Sequence, residues 1–179
     1  MVITDIPVLV LGLDACTAYV TGRAMHLPHK EGHGRASKYL EQVHVDIAGL
    51  MPVASVGGHN YLCVVIDDFT CAVYTHLLHL KSEAVNAFKA FKAMVENKLG
   101  REVREVMMDN VHELSMSKMC QFCKANRIKL STTIPYCPAS NGITKCTIGV
   151  LTSSVCVMLA GSGLPKSLWA EGFNMATYV

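Results

Sequence analysis

What this sequence has little of narrows the reading first. Charged residues make up only 17% of its 179 positions and the formal net charge is +2, so no strong basic bias argues from composition for a nucleic-acid partner. Near the start, the longest apolar run, Val8 to Leu13, falls far short of the roughly 20 residues that a membrane span needs, and Asp5 and Asp14 flank it. No Lys or Arg precedes that run, where a secretory signal would carry positive charge. The expectation is an intracellular chain with no membrane partner. No internal repeat or low-complexity tract interrupts it, and with 51% apolar residues the length suits one globular domain with a real core.

Cysteine is not scarce, at eight residues, but without a secretory signal the thiols are expected to stay reduced. Cys120 and Cys123 form a CxxC inside a helical pattern, with no second Cys or His pair downstream at zinc spacing. They read as two thiols on a helix face. In the first forty residues, Pro7, Gly12, Gly22, Pro28, Gly32 and Gly34 break up any regular element. His26, His29 and His33 therefore lack a scaffold to fix metal geometry and read as part of a solvated loop.

From Gln42 the pattern turns regular. Val43, Val45 and Ile47 alternate with His44 and Asp46 as in a half-buried strand, Tyr61 to Ile66 makes a strongly apolar second strand ending at Asp67-Asp68, and Ala72 to Leu78 a third. The three are expected to form an antiparallel meander. Residues 82–98 switch to helical spacing through Ala84, Val85, Phe88, Phe91 and Val95, with Ser82 as the expected N-cap and Gly100 just past the end. A strand over Val103 to Met108, a helix over Met116 to Ala125, a strand over Ile128 to Thr133, a helix over Ile143 to Leu159 closed by Gly161, and a last helix from Pro165 complete the chain. This order predicts an α/β fold of ribonuclease-H-like type: three antiparallel strands, then alternating helix and strand, making a mixed sheet with helices on both faces.

In that topology the first and fourth strands are neighbours, which would bring Asp46 and Asp109 together at their ends. Carboxylates converging there are what metal-assisted phosphoryl transfer needs, because two divalent ions about 3.5–4 Å apart must be held against the phosphate. Each Asp alone reads as well as a turn or cap residue.

The words around them carry more. "HVDIAGLMPVASVGGHNYLCVVIDDFT", "MMDNVHEL", "IPYCPASNGITKCTIGVL" and the closing "GLPKSLWAE" resemble, in order and spacing, the integrase catalytic core of copia-type retrotransposons. The resemblance implies DNA integration by metal-dependent phosphoryl transfer, Mg²⁺ or Mn²⁺ as cofactor, element ends and target DNA as partners, multimers of the chain, and a nuclear site of action. It implies Asp46 and Asp109 as metal ligands, with the third carboxylate at position 145. Thirty-five residues separate Asp109 from position 145, and the residue there is Lys145. The expectation is an integrase core with a degenerate active site. Glu113 is the conceivable substitute ligand, a surface carboxylate the plainer reading. The alternative for the whole chain is a non-catalytic remnant that binds DNA or multimerises.

Upstream, "CTAYVTGRAMHLP" resembles the end of the family's zinc-binding module, with Cys16 in place but Tyr19 where a second Cys belongs. Tyr cannot replace a thiolate on zinc, and no zinc site is expected. The expected organisation is 1–40 as a remnant of that module and 41–179 as the catalytic core, cut short at its C-terminal end. By resemblance, Ser140, Asn141, Gly142 and Lys145 would approach DNA phosphate, as a helix N-terminus beside a cation favours; from the residues alone, Asn141-Gly142 is only a turn entering a helix. Lys81, Lys89, Lys92, Lys98, Arg101 and Arg104 are interleaved with Glu83, Glu96, Glu102 and Glu105, which reads as a solvated face. Trp169 and Phe173, four apart on the last helix, suit core or a helix partner.

Overall fold

A computed structural model describes residues 35–108, 113–132 and 142–178. Its five strands are β1 (Gln42–Ala48), β2 (Tyr61–Asp67), β3 (Val73–Leu78), β4 (Glu105–Met108) and β5 (Lys129–Thr132). Four α-helices follow the meander: α1 (Ala84–Leu99), α2 (Glu113–Ala125), α3 (Gly142–Ser162) and α4 (Trp169–Tyr178). The sheet order is β3-β2-β1-β4-β5. β1 pairs antiparallel with β2 and parallel with β4, while β4 and β5 are parallel.

The two faces of the sheet follow from the period of two in each strand. Val43, Val45 and Ile47 of β1, with Cys63 and Val65 of β2 and Val106 and Met108 of β4, point into a cluster closed by Phe88, Phe91 and Val95 of α1 and Met119 and Cys123 of α2. The opposite face, with Leu62, Val64 and Ile66 of β2, is covered by Leu151 and Val155 of α3 and Trp169 and Phe173 of α4. Helices thus cover both faces, and the expected architecture is the observed one. Trp169 and Phe173 are core residues of their own chain, and the Trp169 indole N–H donates to the carbonyl of Val53 at 2.8 Å. Where α3 and α4 meet, Gly172 lets the helices close: a Cβ there would stand 2.8 Å from a Val155 methyl.

Three local expectations are corrected. Ser82 is no N-cap; it sits within a 3-10 turn, Lys81–Glu83, that leads into α1. The cap comes from Glu83, whose carboxylate accepts the amides of His79 at 2.8 Å and Leu80 at 3.3 Å. These bonds, first that of His79, hold its pKa below the usual value. Gly161 does not close its helix, which runs on to Ser162 and gives way at Gly163, where φ is +65°. A membrane-length apolar element also exists away from the start: α3 has the length and a mean hydropathy, 1.7, sufficient by composition to cross a bilayer. In this fold α3 lies on the sheet through Thr144, Leu151 and Val155, while Val150 and Val157 on its outer side are exposed.

Gly100 ends α1 as expected, in the left-handed region with its N–H on the carbonyl of Glu96. Phe88 is fully buried and meets the rings of both Phe91 and Phe122. Phe88→Ala is expected to lower the unfolding free energy by about 3–5 kcal/mol through the cavity it leaves, read as a lower denaturant midpoint at unchanged slope.

Candidate active site

Asp46 lies near the end of β1, on the face that α3 covers, since its neighbours Val45 and Ile47 point to the other side. It is half-buried, and one carboxylate oxygen accepts the amide of Ile47 at 2.8 Å. Its charge reaches the centre of the sheet. The buried Cys63 thiol is pushed up to about 12, first by burial and then by the nearby Asp46 carboxylate. Directly after Ala48 the chain must turn, and Gly49 permits it: φ is +123° and a Cβ would stand 2.7 Å from the carbonyl of Asn60.

The β1–β4 ladder runs to Val45 opposite Met108. Asp46 is the next residue of β1, and in the sequence Asp109 follows Met108, the last residue of β4. Asp109 itself lies outside the described residues, as do Ser140 and Asn141. Gly142 is the first residue of α3, and Lys145 stands in that helix's first turn with its side chain exposed, next to the fully buried Thr144. Ile143 joins the apolar cluster that includes Ala48 of β1, so the N-terminal turn of α3 and the end of β1 belong to one packing unit. Glu113 begins α2. Among the described residues, no three His, Cys, Asp or Glu side chains converge as a metal site would require. Cys123 is buried in the first cluster, its thiol raised to about 11 chiefly by that burial, and none of the six described cysteines is in a disulfide.

Sequence reasoning missed the polar framework behind Asp46. His44, two residues earlier on the same face, is buried, and its Nε2 donates to the Asp68 carboxylate at 3.0 Å, leaving Nδ1 buried without a partner. The other Asp68 oxygen accepts the amide of Ala36 at 2.7 Å. Next door, Asp67 accepts the amide of Leu40 at 2.9 Å and both the amide and hydroxyl of Thr70. Leu40 is buried with φ +60°, a conformation that a leucine holds only when its surroundings impose it. The available signal was the Asp67-Asp68 pair ending a strand that is otherwise wholly apolar, since buried carboxylates must find donors.

A mixed five-stranded sheet in this order, helices on both faces and an acidic residue toward the end of the central strand define an α/β domain of the ribonuclease-H-like kind. Residues 36–138 match the family model of the integrase core domain. That is more than half of the chain, and the chain belongs to this family. It is similar to the retrovirus-related Pol polyprotein from transposon TNT 1-94 of Nicotiana tabacum, with 27% identity over 92% of this chain and 12% of that protein. Similarity to the Pol polyprotein from transposon RE2 of Arabidopsis thaliana is 23% over 93% of this chain and 11% of that one. The chain therefore spans about an eighth of the length of these relatives. Among solved structures, it resembles a chain of the simian T-cell lymphotropic virus intasome in complex with PP2A regulatory subunit B56 gamma (TM-score 0.64, 22% identity, 83% of this chain and 51% of that one). It also resembles the HTLV-2 integrase catalytic core domain in complex with magnesium (TM-score 0.56, 19% identity, 80% and 86%). At these identities the structural likeness establishes the fold.

Two measurements test the site's surroundings. At pH 8 the native Cys63 thiol, with a pKa near 12, should be ionised in only about one molecule in ten thousand and resist alkylation, whereas the unfolded chain labels readily. The raised value favours the folded state fully below the ordinary thiol pKa, and that contribution is lost as pH rises from about 9 toward 12. Asp68→Ala strips His44 of its partner and frees the Ala36 amide; unfolding should become easier by about 2–3 kcal/mol, measured by chemical denaturation.

Proposed function

We propose that this chain is the catalytic core of a copia-type retrotransposon integrase whose active site has degenerated, so that it retains the fold and contacts to DNA but no longer joins strands. The observation that carries the reading is the placement of Lys145: an exposed cation in the first turn of α3, on the helix that packs beside the end of β1 where Asp46 sits. With Asp46 and Asp109 as the two remaining carboxylates, the donor set suits at most one divalent ion held weakly. At about 4 Å and an effective dielectric near 20, a unit charge and a divalent ion interact by roughly 8 kcal/mol before desolvation, attractive for Glu and repulsive for Lys. A cation at that position therefore does not fit a two-ion site, and no catalytic step is assigned to this chain.

What the residues here favour instead is anion contact. The start of α3 offers its first amides at Gly142 and neighbouring positions, and Lys145 adds a positive charge, an arrangement suited to a DNA phosphate together with Ser140 and Asn141. The intasome named above, and the HTLV-2 integrase core, whose structure is of a trimeric form, support a multimer as the working form. A nuclear location and the assignment of residues 1–40 to a decayed zinc module are part of the same proposal.

The decisive comparison is calorimetric titration of Mg²⁺ and Mn²⁺ into the purified chain and into Lys145→Glu, each also assayed for strand transfer on a short duplex. The proposal expects tight metal binding and any strand transfer only in Lys145→Glu. Equal metal affinity and equal activity in the unaltered chain would sink the assignment of position 145. Loss of metal binding by Lys145→Glu on adding Asp46→Asn is expected in either case where Asp46 is a ligand.

A further inference from the structure

At the other end of β1 from Asp46, the surface opens into a polar cleft of about 380 Å³, lined by Lys38, Tyr39, Glu41, Arg101, Glu102 and Arg104. Gln42, beside it, and Asp46 are four residues apart on the strand, a distance of roughly 13 Å, so this cleft is separate from the candidate active site. Its backbone is fixed. The amide of Arg104 donates to the carbonyl of Leu40 at 3.0 Å, and the carbonyl of Arg104 accepts the amide of Lys129 at 2.8 Å, which ties the approach to β4 between the entries of β1 and β5. Arg101 and Arg104 follow α1, in which Lys92 is paired with Glu96 at 2.6 Å.

Among the described residues, Lys38, Arg101 and Arg104 form no ion pair in this cleft. Glu41, which lines the cleft with Glu102, keeps its charge but is oriented by other donors. One oxygen of Glu41 accepts the amide of Ser37 at 2.7 Å, the Ser37 hydroxyl at 2.9 Å and the amide of Lys38 at 3.2 Å. Those bonds, the Ser37 amide first, keep the Glu41 pKa low, with Arg104 a lesser contributor. Beside the cations stands an aromatic platform. Tyr39 is 47% exposed, and its ring meets that of Phe69, itself 42% exposed, edge to face at 5.3 Å.

We propose that this cleft recognises phosphate of a nucleic-acid strand, with Arg101, Arg104 and Lys38 on the phosphate and the Tyr39 ring against an adjoining base. Two guanidinium forks suit phosphate oxygens, an exposed aromatic ring suits any base, and the volume admits a nucleotide. Glu41 and Glu102 oppose the ligand, and they set the affinity below what three cations alone would give. The site does not depend on whether Lys145 has ended catalysis.

The test is fluorescence anisotropy of a short labelled oligonucleotide on the full chain over a salt series, with thermal melting of every variant to check its fold. Arg101→Gln/Arg104→Gln is expected to weaken binding about tenfold and to flatten the salt dependence by roughly two phosphate contacts. Tyr39→Ala should weaken it by about fivefold or more, and Glu102→Gln should tighten it. Lys166→Gln, on the turn before α4, should leave it unchanged. Repeating the double variant in an Asp46→Asn/Lys145→Gln background should show the same loss, which separates this cleft from the candidate active site. Binding by the folded double variant equal to that of the parent overturns the proposal, as does a parent chain that binds no oligonucleotide. Displacement by inorganic phosphate with Tyr39→Ala silent overturns the nucleic-acid assignment.

Discussion

The structure hangs on the capture of the chain's entry into β1 by two adjacent carboxylates at the end of β2. Asp67 and Asp68 between them accept the amides of Ala36 and Leu40 and the ring N–H of His44. Leu40 is thereby held in a left-handed conformation that it would otherwise leave. Because the side-chain period of a strand is two, a slip of one residue in β1 would send Val43, Val45 and Ile47 to the wrong face and turn Asp46 into the first apolar cluster. Hydrogen bonds to fixed carboxylates resist such a slip in a way that apolar packing, which is nondirectional, does not.

From that register the rest follows in order. Among the described strands, β1 joins the antiparallel and parallel parts of the sheet, so its position sets where β4 ends. One face of β1 is wholly committed to the cluster beneath α1 and α2. The other alternates His44, Asp46 and Ala48, a polar strip let into an apolar surface and roofed by α3. The Cys63 thiol in the middle of the sheet is raised first by burial and then by the Asp46 carboxylate.

Much of this was legible in the sequence. The alternation in Val43 to Ile47 and the three- and four-residue spacing in Ala84 to Val95 are direct records of burial, and the elements they predict lie where expected within a residue or two. The errors arose where one residue type has two uses. Ser82 is a good cap by type, but Glu83 reaches the free amides first from within a 3-10 turn; Gly161 is tolerated inside α3, and the left-handed turn falls at Gly163 instead. The expectation that Asp46 and Asp109 meet rests only on topology and family resemblance, since nothing local separates a metal ligand from a turn residue, and Asp109 lies outside the described residues. The His44–Asp68 pair was not legible at all, because partners 24 residues apart leave no periodic trace.

One feature of α3 separates chemistry from folding. Thr144 is sealed in the interior while its neighbour Lys145 faces outward. If, as proposed, Lys145 stands where a carboxylate would, that exchange falls at an exposed position and leaves the buried side of the helix in place. Chaperones and proteases respond to the population of unfolded chain rather than to what a folded surface can catalyse. On that proposed reading, a copy so altered would fold like an intact one, and only selection acting on the reaction itself could remove it.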